Sequence, residues 1–229
     1  MDYVVIIHPE RALYWLAAIA VSAALAIGAS TRGWRRGVYC FKPLTTLLIL
    51  GLALTQPADA YLDFVYRPLI VGGLVCSLAG DVLLMLPRDR FVAGLVAFLI
   101  AHLLYIGAFT FDAVRATWWI VLPLAAYAVV LLRILLPHVA ARLRVPVIVY
   151  ALVLLAMAWA AAERGVAGMP GGALAAAGAL LFVASDSALA INRFARQFRG
   201  ADAVVLGTYY AAQTLIALSA GILGRILFR

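Results

Sequence analysis

The chain has 229 residues, of which 67% are hydrophobic and 12% charged, with a formal net charge of +8 and a mean hydropathy of +1.07. An apolar share this far above the usual 45–50% or so excludes a soluble domain. Nucleic-acid binding is not the reading of the positive charge either, because the basic residues follow the loops of a membrane protein.

Eight apolar runs fall near residues 11–29, 38–55, 68–86, 91–111, 116–136, 145–162, 172–191 and 203–224. Each is long enough, at roughly 18 residues or more, to cross a hydrocarbon core of about 30 Å as a helix, the conformation that satisfies its own backbone there. The expected fold is an all-α polytopic bundle of eight transmembrane helices forming one integral membrane domain over residues 1–229. The opening "MDYVVIIHPERALYW" has acids, no basic n-region and no small-residue cleavage site, so the first helix is expected to be retained. Cys40 and Cys76 imply neither a disulfide framework nor a metal site. Seventeen of the eighteen basic residues are Arg, beside abundant Ala, a composition that points to a GC-rich bacterial genome and hence to a bacterial inner membrane.

Loops after the first, third, fifth and seventh runs carry Arg32, Arg35, Arg36, Arg88, Arg90, Arg142, Arg144, Arg193, Arg196 and Arg199. The alternate loops carry Arg67, Arg115 and Arg164. The arginine-rich loops should be cytoplasmic and both termini outside, although Arg11, Arg225 and Arg229 dilute the asymmetry.

Two helices echo each other. "LAGDVLLMLPRDRF" at 78–91 and "VASDSALAINRF" at 183–194 each place one Asp seven residues before an Arg, Asp81 to Arg88 and Asp186 to Arg193. "FKPLTT" and "LRVPVIVY" likewise open the second and sixth runs with a basic residue and a proline, Lys42 with Pro43 and Arg144 with Pro146, as suits a helix's first turn. Matching elements four helices apart share an orientation, so halves 1–112 and 113–229 would be parallel repeats about an axis along the membrane normal. Chance similarity among Ala- and Leu-rich helices gives the same pattern and stays open.

Of ten acidic residues, only Asp81 and Asp186 fall inside the predicted helices. A charged Asp at the bilayer centre costs about 2.5–3.5 kcal/mol, so such residues face a bundle interior or a wet cavity. Each lies about six residues from the cytoplasmic end of its helix, a common depth of about 9 Å. Lys42, Thr45 and Thr46 enter at that level on the second helix. His102 and Tyr105 share a face of the fourth, Tyr209 and Gln213 a face of the eighth, and Asn192 closes the seventh beside Asp186. Taken singly these are core residues, interfacial anchors or interhelical glue; together they describe a polar pocket opening to the cytoplasmic leaflet.

His8 should lie outside, His102 in the bundle and His138 in a cytoplasmic loop, so no three-histidine zinc site is expected. No phosphate loop, nucleophile elbow or HExxH occurs, and no metal or cofactor is expected. What remains is a carboxylate pair. Two close carboxylates do not both ionise easily, so one would act as general acid while the other activates water.

At these residues the chain resembles the eight-helix YhhN-like membrane proteins, which include the lysoplasmalogenases of the TMEM86 type. The resemblance rests on "KPLTT" from Lys42, "GDVLLMLP" from Gly80, "F..GL.AFL.AHLLY" from Phe91 to Tyr105, "SDSALAINRF" from Ser185 and "TYYAAQ" from Thr208. It implies hydrolysis of the vinyl ether bond of a lysophospholipid, with water as co-substrate and membrane lipids as surroundings, giving a fatty aldehyde and glycerophospho-ethanolamine or -choline. On that reading Asp81 and Asp186 are catalytic. His102, Tyr105, Tyr209 and Gln213 would position the ether oxygen or water, and Lys42, Asn192 and Arg193 would hold the phosphate and headgroup. A proton-coupled transporter is the alternative, since intramembrane carboxylates and parallel repeats serve transporters too; a membrane scaffold would leave the polar set unexplained.

Overall fold

The computed structural model describes residues 9–56, 62–87, 90–111 and 117–221. Among them are eight helices and no strand: α1 (Pro9–Thr31), α2 (Arg35–Thr55), α3 (Arg67–Met85), α4 (Phe91–Thr110), α5 (Trp118–Leu135), α6 (Ala141–Val166), α7 (Gly172–Ala190) and α8 (Ala201–Ser219). All eight are long and apolar enough to cross a membrane. Their outer faces expose side chains such as Leu13, Leu54, Val130 and Leu152, and Trp34, Trp118 and Trp119 stand exposed at helix ends, the positions aromatic rings take at a membrane surface. The chain is a multi-pass membrane protein. His8, Arg88, Arg115, Arg225 and Arg229 lie outside the described residues, and with Arg88 one half of the Asp-to-Arg echo.

The helices extend beyond the apolar runs, and this corrects two expectations. α2 begins at Arg35 and α6 at Ala141, so Pro43 and Pro146 lie inside their helices, beyond the first turn. Hydropathy marks only the hydrocarbon depth, whereas a helix continues into the interface, where arginines reach water along their stems. α6 also runs past residue 162 and carries Glu163 and Arg164 in its last turn, both buried, at 3% and 0% exposure. Glu163 is therefore a buried acid inside a helix, where a loop residue was expected. It accepts hydrogen bonds from Thr117 N (2.6 Å), Thr117 Oγ1 (2.8 Å) and Trp159 Nε1 (3.1 Å).

α2, α3, α4, α6, α7 and α8 pack in sequence around a ring that closes where α8 meets α2. α1 lies against α2 and α8, and α5 lies outside, against α6. Small residues set the tightest joints, since between helices in lipid close van der Waals contact replaces the hydrophobic drive. Gly73 and Gly80 of α3 admit the Tyr105 and Phe98 rings of α4. Gly178 of α7 faces the backbone of α8.

The two ends of the ring differ. At one, Arg32, Arg35, Arg36, Arg90, Arg142, Arg144, Arg193, Arg196 and Arg199 are all exposed. At the other, polar groups pack on one another. Tyr66 Oη lies 2.8 Å from Ser219 Oγ, and the buried Arg164 guanidinium sits 4.3 Å from the Tyr66 ring centre.

A Cβ at Gly178 would stand 2.9 Å from Ala212 O and 3.2 Å from Ile216 N, main-chain atoms that cannot swing away, whereas one at Gly207 meets nothing within 4 Å. Gly178→Ala is expected to destabilise the bundle by about 1–3 kcal/mol and Gly207→Ala to leave it at least as stable, read as thermal unfolding in detergent.

Candidate active site

Asp81 lies on the inner face of α3, 1% exposed, and is held from three sides. Lys42 Nζ on α2 is 3.2 Å from Oδ1. Thr46 Oγ1, one helical turn beyond Lys42, donates to Oδ2 at 2.7 Å, and Tyr209 Oη on α8 donates to the same oxygen at 2.8 Å. An ammonium and two hydroxyl donors are the surroundings of a carboxylate anion, the charged form a bundle interior tolerates only when paired.

The network continues behind Tyr209. Gln213 Nε2 donates to Tyr209 Oη at 3.3 Å, and Gln213 Oε1 accepts from Tyr105 Oη at 2.7 Å. Because Gln213 presents one donor and one acceptor in fixed directions, it points the Tyr209 proton at Asp81 and takes the Tyr105 proton itself. The spacing of four between Tyr209 and Gln213 on α8 makes this relay possible.

Asp186 on α7 has a different setting. It is partly exposed, and the Tyr150 hydroxyl of α6 donates to its Oδ2. Among the described residues no cation is paired with it.

Both aspartates line one cavity of about 660 Å³ at the arginine-rich end, within the size range of small-molecule sites. Lys42, Asn192, Arg193 and Tyr209 line it too, and Phe98, Leu206 and Leu84 supply apolar wall. Asn192 and Arg193 lie on a π-helical turn, Ile191–Ala195, that continues α7; such turns re-aim side chains and cluster at functional sites. Arg193 stacks its guanidinium 4.0 Å from the Phe91 ring centre. At the mouth, Ser30 Oγ donates to Asp202 Oδ2 at 2.6 Å, joining α1 to α8.

Six of the nine expected site residues thus meet at one cavity. Tyr105 and Gln213 stand behind its wall, acting on it through Tyr209. His102 does not line it: its ring packs edge-on against Phe182 (4.7 Å) and Tyr150 (5.3 Å), buried, with neither ring nitrogen hydrogen-bonded among the described residues. The turn from residue 102 to 105 carries α4 from the aromatic wall to the polar network. Among the described residues no His, Cys, Asp and Glu cluster suits a metal ion.

Sequence reading missed Tyr150, Ser30 and Asp202. Tyr150 had a signal. It precedes Asp186 by 36 residues as Thr46 precedes Asp81 by 35, so the echo of α3 in α7 extends to the hydroxyl that serves each carboxylate. Ser30 and Asp202 stand at helix ends, where polar residues are commonplace.

Residues 37–220 match the profile of the YhhN family. Human lysoplasmalogenase TMEM86B is 43% identical over 155 residues, 68% of this chain and 64% of that protein, so the chain spans just under two thirds of that relative's length. The membrane protein YhhN of Escherichia coli O157:H7 is 35% identical over 90% of this chain and 98% of its own. Rat lysoplasmalogenase TMEM86B is 32% identical over 90% and 83%. No solved structure matches the chain.

Removing Lys42 would leave Asp81 buried without its cation. Lys42→Met is expected to cost about 3 kcal/mol of stability, and Asp81→Asn in the same chain to return most of it, both measured by unfolding in detergent.

Proposed function

The chain belongs to the YhhN family, and from that premise we propose that it is a membrane-embedded hydrolase of single-chain ether lipids, cleaving the vinyl ether bond of a lysoplasmalogen. The observation that carries this reading is the meeting of Asp81 and Asp186 in one cavity with unlike partners. Relatives named lysoplasmalogenase supply the substrate class.

Asp186, which no ammonium holds as an anion, is the acid. Its proton goes to the outer vinyl carbon of O–CH=CH–R, and the electron pair of the double bond forms the new C–H bond. The carbon next to the ether oxygen becomes an oxocarbenium ion, with Asp81 as the fixed negative charge that steadies it. Water adds to that carbon and returns a proton to Asp186. The hemiacetal then collapses as its hydroxyl proton passes to the ether oxygen, releasing aldehyde and the glycerophospho-alcohol. Tyr150 holds one Asp186 oxygen and leaves the other for the proton. Lys42, Asn192 and Arg193 at the mouth take the phosphate, and Tyr209, set by Gln213 and Tyr105, orients Asp81.

A transporter would need access from both ends. The cavity lies at the arginine-rich end, while Tyr66, Ser219 and Arg164 pack together at the other, which favours the enzyme. The arginine-rich end faces the cytoplasm and both termini lie outside, in a bacterial inner membrane if the chain follows its Escherichia coli relative. The order of neighbours supports two parallel halves, 1–112 and 113–229: α3 pairs with α4 as α7 with α8, and α4 meets α6 as α8 meets α2.

Purified protein in detergent should release aldehyde from lysoplasmalogen, and Asp81→Asn and Asp186→Asn should each lower that rate about a hundredfold or more while remaining folded. Near-normal turnover in both variants would sink the mechanism.

A further inference from the structure

A second opening reaches Asp186 from the side away from Asp81. This slot, about 50 Å³ against about 660 Å³ for the cavity, runs among α4, α5, α6 and α7. Leu131, Leu135, Val147, Ala151 and Leu154 wall it. Its other polar groups are already engaged. Tyr150 donates to Asp186, and Ser187 donates to Val183 O at 2.6 Å while accepting from Tyr127 Oη at 2.7 Å. A polar visitor would find nothing in the slot but the carboxyl at its inner end. Asp186 lines both spaces, whereas Lys42, Asp81 and Arg193 line the cavity alone.

We propose that this slot seats the hydrocarbon chain of the lipid, with the head in the cavity and the reacting bond at Asp186, where the two spaces meet. The proposal rests on the hydrolase reading and adds the chain's path. In a 1-alkenyl lipid the bond to be broken joins a polar glycerol to a hydrocarbon. A carboxyl that protonates its outer carbon must stand at a boundary between polar and apolar surroundings, and Asp186 is the aspartate that does. Size decides the rest: a slot of about 50 Å³ is too small for a phosphate headgroup and takes only the part of the chain next to the reacting bond, whereas the cavity of about 660 Å³ has room for the head. α5, which packs against α6 and the π-helical turn after α7, forms the slot's outer wall, so a chain reaches Asp186 without leaving apolar surroundings.

Filling and widening the slot test this. Single-chain phosphocholine lipids of graded length are competed against a fluorescent lysophosphatidylcholine on the purified protein, and aldehyde release is measured from 1-alkenyl lipids of the same lengths. Ala151→Phe is expected to weaken long chains about tenfold or more relative to short ones, and Leu154→Ala to move the preference toward longer chains. If the wild type binds and turns over these lipids but neither folded variant alters the length profile, the slot is not the chain's seat and the hydrolase reading stands. If the wild type releases no aldehyde from any of them, the hydrolase reading fails, and the competition series alone decides the slot: a profile moved by the variants keeps it, an unmoved one removes it. Should Ala151→Phe fail to fold, Leu154→Ala carries the same decision.

Discussion

A carboxylate 1% exposed, inside a bundle whose outer surface is meant for lipid, must find its countercharge within the protein, and the rest of the site follows from how Asp81 does so. Its cation comes from α2, one hydroxyl donor from the next turn of α2 and another from α8. Three helices are thereby tied to one side chain. The tie fixes the rotation of each about its own axis, since turning any of them would carry Lys42, Thr46 or Tyr209 into lipid and strand the charge. Packing by small residues sets how close the helices stand, and the polar tie sets which faces look inward.

The second aspartate shows what the first is spared. Asp186 occupies the equivalent place on α7, with Tyr150 of α6 where Thr46 of α2 serves Asp81, but no lysine has its counterpart there. Equivalent backbone positions with unequal partners give unlike carboxyls, the condition for dividing acid and anion between two residues of one type. Both open on the same cavity, as the proposed division of acid and anion requires.

Much of this was legible in the sequence because lipid enforces a simple code. Apolar length named the helices, and an ionisable residue inside an apolar run is costly enough to mark a site, which singled out Asp81 and Asp186. The same code hid what lies at the interface. Glu163 and Arg164 read as loop residues because charge ends an apolar run, yet the backbone there continues as helix and buries both. His102 was drawn toward the pocket by its spacing from Tyr105; spacing gives a common face, and the neighbour that each part of the face meets depends on the crossing of α4 with α6 and α7. Tyr150 was invisible by itself, an aromatic in an aliphatic helix; what marks it is a spacing to Asp186 that nearly repeats the spacing of Thr46 to Asp81.

The Lys42–Asp81 pair joins α2 to α3, two consecutive helices that pack as neighbours. Translation delivers them in that order, lysine first, so the carboxylate can enter the membrane already facing its ammonium, with Thr46 beside it. Tyr209 is made later, on the eighth helix, and docks onto a carboxylate that already has its cation beside it. This carboxylate therefore need not cross the hydrocarbon alone at any stage of synthesis, and the cavity around it is completed only when the last helix arrives.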